Sequence, residues 1–185
     1  VIHTGSDGGG ILYDGTDTIW INNSIFHNNI ATGGGAIAIY SGTAIIKNTK
    51  VTDNYGYKGS GIMNYSNTYI LNSFFTNNRG GVGGVICNLN LCQTNIINST
   101  FAYNTGTPPF FHGDIDYAAT NSFQIYNSII KSENGVFGFY NNVFGADTIQ
   151  YSCISGGFPG VGNIGADPMF ISPSTGQDTT FDGLQ

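Results

Sequence analysis

Charge is what this chain has least of. Five Lys and Arg stand against eleven Asp and Glu among 185 residues, a net charge of −6 at pH 7. A chain so poor in cations has little with which to neutralise phosphates, which argues against nucleic acid or an anionic membrane as a partner. No run approaches the ~18 apolar residues of a spanning helix, so membrane insertion is not expected. Long helices are opposed by 28 glycines and by many Asn, Thr and β-branched residues. The leucine spacing of leucine-rich repeats is absent. Cysteines are few and odd in number, Cys87, Cys92 and Cys153, so at least one thiol is unpaired within the chain, and no Cys-x-x-Cys metal spacing occurs. Cys87 and Cys92 are near enough in sequence for a bridge across a turn; the plainer reading is small, partly buried side chains.

What the chain has instead is a repeat. Setting the Asn of each Asn-Ser/Thr pair in register gives Asn23, Asn48, Asn72, Asn98 and Asn127, with Tyr151 in the sixth place, at spacings of 25, 24, 26, 29 and 24 residues. Two positions before this anchor stand Ile21, Ile46, Ile70, Ile96, Ile125 and Ile149. One position after it come Ser24, Thr49, Ser73, Ser99, Ser128 and Ser152, and three after it Phe26, Val51, Phe75, Phe101, Ile130 and Ile154. Asn29, Asn54, Asn78 and Asn104 follow at six positions, read as a structural ladder of left-handed corner residues that bond from coil to coil. A second apolar series, Ile11, Ile37, Ile62, Ile86 and Ile115, follows glycine-rich turns.

A period near 25 residues means a solenoid, propeller or array whose units bury their apolar faces against neighbours. Short strands between Gly/Asn turns, with like residues one coil apart, predict an all-β, right-handed parallel β-helix, stacked at roughly 4.8 Å per coil. About six coils are expected over residues 1–159, with 160–185 an irregular, loop-rich tail packed on the last coil. Pro108 and Pro109 mark an insertion, since proline donates nothing to a ladder.

The motifs carry a resemblance. Gly34-Gly35-Ala36-Ile37 and, less closely, Gly83-Gly84-Val85-Ile86 match a Gly-Gly-Ala-Ile signature, and Phe26 to Asn29, Phe75 to Asn78 and Phe101 to Asn104 match Phe-x-x-Asn. In these the chain resembles secreted right-handed β-helix proteins, and more narrowly the polymorphic outer-membrane protein type of repeat. The stretch Asn163-Ile164-Gly165-Ala166-Asp167-Pro168-Met169-Phe170 looks like the segment that follows the last regular coils of many such proteins. The resemblance implies the fold and an extracellular or cell-surface address, and little about function, because this solenoid carries lyases, hydrolases, adhesins and passive rods alike.

For chemistry the sequence offers little. Pectin-type hydrolases gather carboxylates on one face, and here no column of acids stacks. His112, Asp114 and Asp116 form the runner-up polar site, since alternate strand residues share a face and two acids with a His suit a cation; calcium is the cofactor to consider there, and none is expected. Asp14-Gly15-Thr16-Asp17 reads as turn chemistry. Thr18, Thr43, Thr68 and Thr94 resemble an ice-binding file, but the first two stand three residues before the Ile column and the last two only two before. The serine column lacks a His in each coil to activate it, so its members are interior residues and not nucleophiles. By alternation Leu71, Ile97 and Tyr126, with Phe74 and Ile129, point outward as an apolar patch of the kind that marks a contact, unless a loop over 107–121 or the tail covers it.

The expectation is a non-catalytic extracellular structural or adhesive β-helix, a segment of a longer surface protein or a subunit of an assembly or filament. Its partners would be further coils of the same protein or copies of itself. The alternative is a carbohydrate-binding or polysaccharide-degrading β-helix, with Tyr13, Tyr40 and Tyr65 stacking on sugar rings.

Overall fold

The computed structural model describes residues 6–82, 84–90, 92–107, 111–113, 122–131, 139–140 and 148–170. These build an all-β solenoid of parallel strands in three sheets. Sheet A holds Ile30–Gly33, Tyr55–Lys58, Arg79–Val82 and Thr105–Thr107. Sheet B has two arms joined by the long strands Ile11–Asn22 and Ile37–Lys47. Its near arm continues through Ile62–Asn64, Ile86–Asn88, Phe111–Gly113 and Phe139–Tyr140. Its far arm continues through Asn67–Leu71, Gln93–Ile97, Ser122–Tyr126 and Thr148–Gln150. Sheet C stacks Ile25–His27, Lys50–Thr52, Phe74–Thr76, Thr100–Ala102, Ile129–Lys131 and Cys153–Ile154. Among the described residues four coils carry strands on every face, with a less complete coil before and after them, where six similar coils were expected.

Register follows the repeat. Ile21, Ile46, Ile70, Ile96, Ile125 and Ile149 pair in succession and form the buried core together with Phe26, Val51, Phe75, Phe101, Ile130 and Ile154. Phe75 and Phe101 stack at 4.6 Å with 9° between their planes. Burying each such side chain contributes about 1.5–3 kcal/mol. The second apolar series aligns as Ile11, Ile37, Ile62 and Ile86, but its fifth place belongs to Phe111. Ile115 lies outside the described residues. The insertion marked by Pro108 and Pro109 shifts the count, so spacing alone chose the wrong residue.

The glycine turns are backbone requirements. Gly34 and Gly59 sit at φ +57° and +65°, and a Cβ on either would lie 2.1 Å from a carbonyl oxygen, of Ile37 and Ile62 respectively. No L side chain fits there. Asp14-Gly15-Thr16-Asp17 is not the turn expected: it lies within the strand Ile11–Asn22, which slips register against its neighbour at Asp14 and again before Thr18, a bulge-like irregularity.

Two corners hold the coils in register. The anchor residues Asn23, Asn48, Asn72, Asn98, Asn127 and Tyr151 all adopt left-handed backbone, with φ between 48° and 52°. At the other corner the left-handed residues are Asn28, Asp53, Asn77 and Tyr103. This corrects the expectation for Asn29, Asn54, Asn78 and Asn104, which follow one position later and turn their side chains along the rod. Asn54 Oδ1 accepts the Asn29 N–H at 2.9 Å, Asn78 Oδ1 the Asn54 N–H at 3.1 Å, and Asn104 Oδ1 the Asn78 N–H at 3.0 Å. The serine column repeats the device: Ser73, Ser99, Ser128 and Ser152 hydroxyls accept the N–H of the residue one coil earlier at 3.1–3.2 Å. Each donates to a carbonyl two residues back in its own coil.

The tail ends this ladder by imitation. Asn163 Oδ1 takes the Ser152 N–H at 3.1 Å, where every earlier rung has a hydroxyl of the next coil. Its amide nitrogen donates to Ile149 and Phe158 carbonyls. Tyr151 donates to the Val161 carbonyl, and Ile164 exchanges bonds with Ser152 and Ile154. Past this cap the chain crosses the outside of sheet C, pinned by a 2.6 Å contact of Lys131 with Asp167 and by Phe170 against Tyr103.

Two outcomes follow for stability. Ile70→Asp buries a charge between Ile46 and Ile96 and should abolish cooperative unfolding, whereas Ile70→Ala should lower stability by about 2–5 kcal/mol; circular-dichroism melts and denaturant titration distinguish them. Asn78→Ala leaves the Asn54 N–H without its acceptor and removes the donor to the Val51 carbonyl. A loss of about 3 kcal/mol in denaturant unfolding is expected, at the upper end for orphaned buried groups. A loss below about 0.5 kcal/mol would show that the ladder does not set stability.

Candidate functional site

With the interior polar groups occupied, function is left to the outer columns, which alternation places one residue to either side of each core position. On the far arm of sheet B the central outward column reads Trp20, Ile45, Tyr69, Asn95, Gln124 and Thr148. Trp20 is 63% exposed and Tyr69 38%, with Ile45 half-buried between them; at Asn95, 8% exposed, the column passes under cover. Thr18, Thr43 and Asn67 flank this column on one side and Asn22, Lys47 and Leu71 on the other. Trp20 and Tyr69 were not singled out from sequence, although each directly precedes a core isoleucine and so must point outward.

The anticipated contact residues do come together. Leu71, Ile97 and Tyr126 pair in succession along the edge of the far arm, and Phe74, Thr100 and Ile129 stack across the Asn72 corner in sheet C. Leu71, Phe74, Ile97, Tyr126 and Ile129 are all half-buried. In the same sheet C column Lys50 is 3% exposed, its ammonium 6.0 Å from the centre of the Phe74 ring, and Thr100 is buried as well. The outside of this sheet is thus partly closed, where open alternation was expected.

The three tyrosines considered for sugar stacking separate. Tyr13 packs against the core cluster, its hydroxyl donating to the Asp17 carbonyl at 3.1 Å. Tyr40 and Tyr65 stack on each other at 5.1 Å and cover a small outer cluster of Ala38, Met63, Cys87 and Leu89. Tyr40 donates to Asp7, and that bond, with burial, pushes its hydroxyl pKa up to about 12. These rings are packing, not platforms. Cys87 and Cys92 remain buried free thiols with no bridge between them, and desolvation raises the Cys92 thiol to about 12.

The threonine file divides as its register implied. Thr43 pairs with Asn67 and not with Thr68, and Thr68 and Thr94 turn inward, where they bond to Asn64 and Asn88. His112 lies in a short strand paired with Cys87 and Tyr140, while Asp114 and Asp116 lie outside the described residues. Sequence reading passed over one polar cluster at the edge of sheet C. His27 Nδ1 is 3.0 Å from Thr52 Oγ1 and 3.3 Å from Asp53 Oδ2, and Nε2 is 2.8 Å from the Asn28 amide nitrogen. An amide donating to Nε2 places the proton on Nδ1. Thr52 and Asp53 then compete for one ring nitrogen, which is a fixed corner and not a relay from nucleophile through base to acid.

Comparison with known proteins supports the architecture and does not narrow the activity. No curated protein and no solved structure matches the chain. A family description does match, the right handed beta helix region, over residues 9–172. That span runs from the first glycine turn through every described coil to the capping tail, and the chain belongs to the right-handed β-helix family.

Proposed function

We propose that this chain is a non-catalytic extracellular β-helix, a structural or adhesive rod segment at a cell surface. The observation that carries this reading is how the repeat uses its polar side chains. The hydroxyls of Ser73, Ser99, Ser128 and Ser152 each accept one backbone bond and donate another, and the Asn54 and Asn78 amides are bonded at both ends. Groups of the kind that attack or relay protons in an enzyme are here committed to joining coil to coil. The Gly34-to-Ile37 and Phe75-to-Asn78 signatures lie at the glycine turn and the asparagine corner, and they support kinship with the polymorphic outer-membrane protein type of repeat and with surface display. The row of Leu71, Ile97 and Tyr126 beside Phe74 and Ile129 is the contact surface of this rod, and its partner is a second copy of the chain. An apolar row of this kind, bordered by polar residues, suits an interface between subunits.

Two measurements test the reading. Incubation with a polysaccharide panel should leave every chain length unchanged; release of shortened chains would identify a hydrolase or lyase. Sedimentation at rising concentration should show self-association that Leu71→Lys combined with Ile97→Lys removes while the thermal melt is retained. Association that survives both substitutions would place the contact elsewhere.

A further inference from the structure

We propose that the exposed outer face of the far arm, over coils one to three, is a binding site for a neutral, β-linked glycan chain lying along the rod axis. It is distinct from the contact row and does not depend on it. Its centre is the in-register file Trp20, Ile45 and Tyr69. In-register strands hold these side chains on one straight line, and Trp20 and Tyr69 stand two coils apart, roughly 9.6 Å at about 4.8 Å per coil. That separation is close to one disaccharide repeat of an extended β-1,4-linked chain, in which alternate sugars present the same face. Two aromatic rings at this spacing receive successive equivalent sugar faces, with Ile45 filling the interval.

The flanks suit hydroxyls. Thr18, Thr43, Asn67 and Asn22 offer neutral donors and acceptors on both sides of the file, and Thr18, Asn22 and Asn67 are exposed. Asn67 Oδ1 is already engaged by the Gln93 N–H at 3.1 Å, which holds this amide in place and leaves its nitrogen facing the flank. Lys47 is the single ion among the nine side chains of the three rows, and none is a carboxylate, although the whole chain carries eleven acids. A face from which charge is withheld matches an uncharged polymer; a polyanion would require a cationic groove. The aromatic residues that accompany cations lie elsewhere: Tyr55 pairs with Arg79 on sheet A, with Tyr57 and Lys58 beside them.

Trp20 is the only tryptophan of the chain, so its fluorescence reports this face directly. The test titrates the full chain with cellohexaose, and with polygalacturonate as the charged comparator. A saturable shift of Trp20 emission with cellohexaose, unaffected by added salt and absent with polygalacturonate, is the expected result. Tyr69→Ala keeps the reporter and should weaken binding by about tenfold or more, as loss of a central aromatic anchor does. Trp20→Ala, followed by calorimetry, should do the same while the thermal melt is unchanged, because both side chains are solvent-facing. No response to cellohexaose overturns the proposal, as does parental affinity in a folded Tyr69→Ala protein. Salt-sensitive binding of polygalacturonate that leaves Trp20 silent and is lost in Arg79→Ala would assign ligand binding to sheet A and overturn it equally.

Discussion

At each corner of a coil the chain leaves one sheet for the next, and a backbone N–H is left there inside the rod with no strand opposite. Buried donors of that kind must find an acceptor. Here the acceptor is always a side chain from the neighbouring coil, an asparagine oxygen at one corner and a serine or threonine hydroxyl at the other. The requirement explains the repeat length better than core packing does. A coil one residue longer between corners would still bury its isoleucine somewhere, but it would carry the acceptor away from the donor it serves. Like-on-like stacking of Ile70 on Ile46 and Ile96 is then the consequence of corners held in register.

The same constraint makes the two ends unequal. Tail residues 160–164 are not a regular coil, yet Asn163 supplies the acceptor that a further serine would have supplied, and Ile164 pairs beside Cys153. An open strand edge is thereby covered. Beyond the cap, Lys131 lies 5.8 Å from the centre of the Phe170 ring and 6.0 Å from that of Tyr103, and its bond to Asp167 raises the lysine pKa while lowering that of the aspartate. Both groups are well solvated, so the pair positions the tail more than it stabilises the fold.

Outer surfaces differ because the interior leaves them free to. Inside, every coil must repeat; outside, neighbouring columns carry Trp20 and Tyr69 in one place, Lys50 beside Phe74 in another, and a tyrosine pair over Met63 in a third. Specificity in a solenoid is therefore read across its faces, where like residues need not stack on like.

Much of this fold was legible because a repeat states its own register six times. The isoleucine and phenylalanine columns, the interior serines and the division of the threonines all follow from counting along one period, since strand alternation converts position into inside or outside. Counting failed where the count was interrupted. Phe111, not Ile115, continues the second apolar series because an insertion with two prolines precedes it. It also missed the left-handed backbone at Asp53 and Tyr103, since the corner imposes that geometry whichever residue occupies it. Near-complete burial of Lys50, the inward turn of Tyr13 and the closing of the serine ladder by Asn163 rest on contacts between segments far apart in sequence. The sequence alone determined the period, the core columns and the polar rungs, because each is a local pattern repeated. Only the tertiary structure decided which outer columns stay open to a partner, because cover comes from other parts of the chain and follows no period.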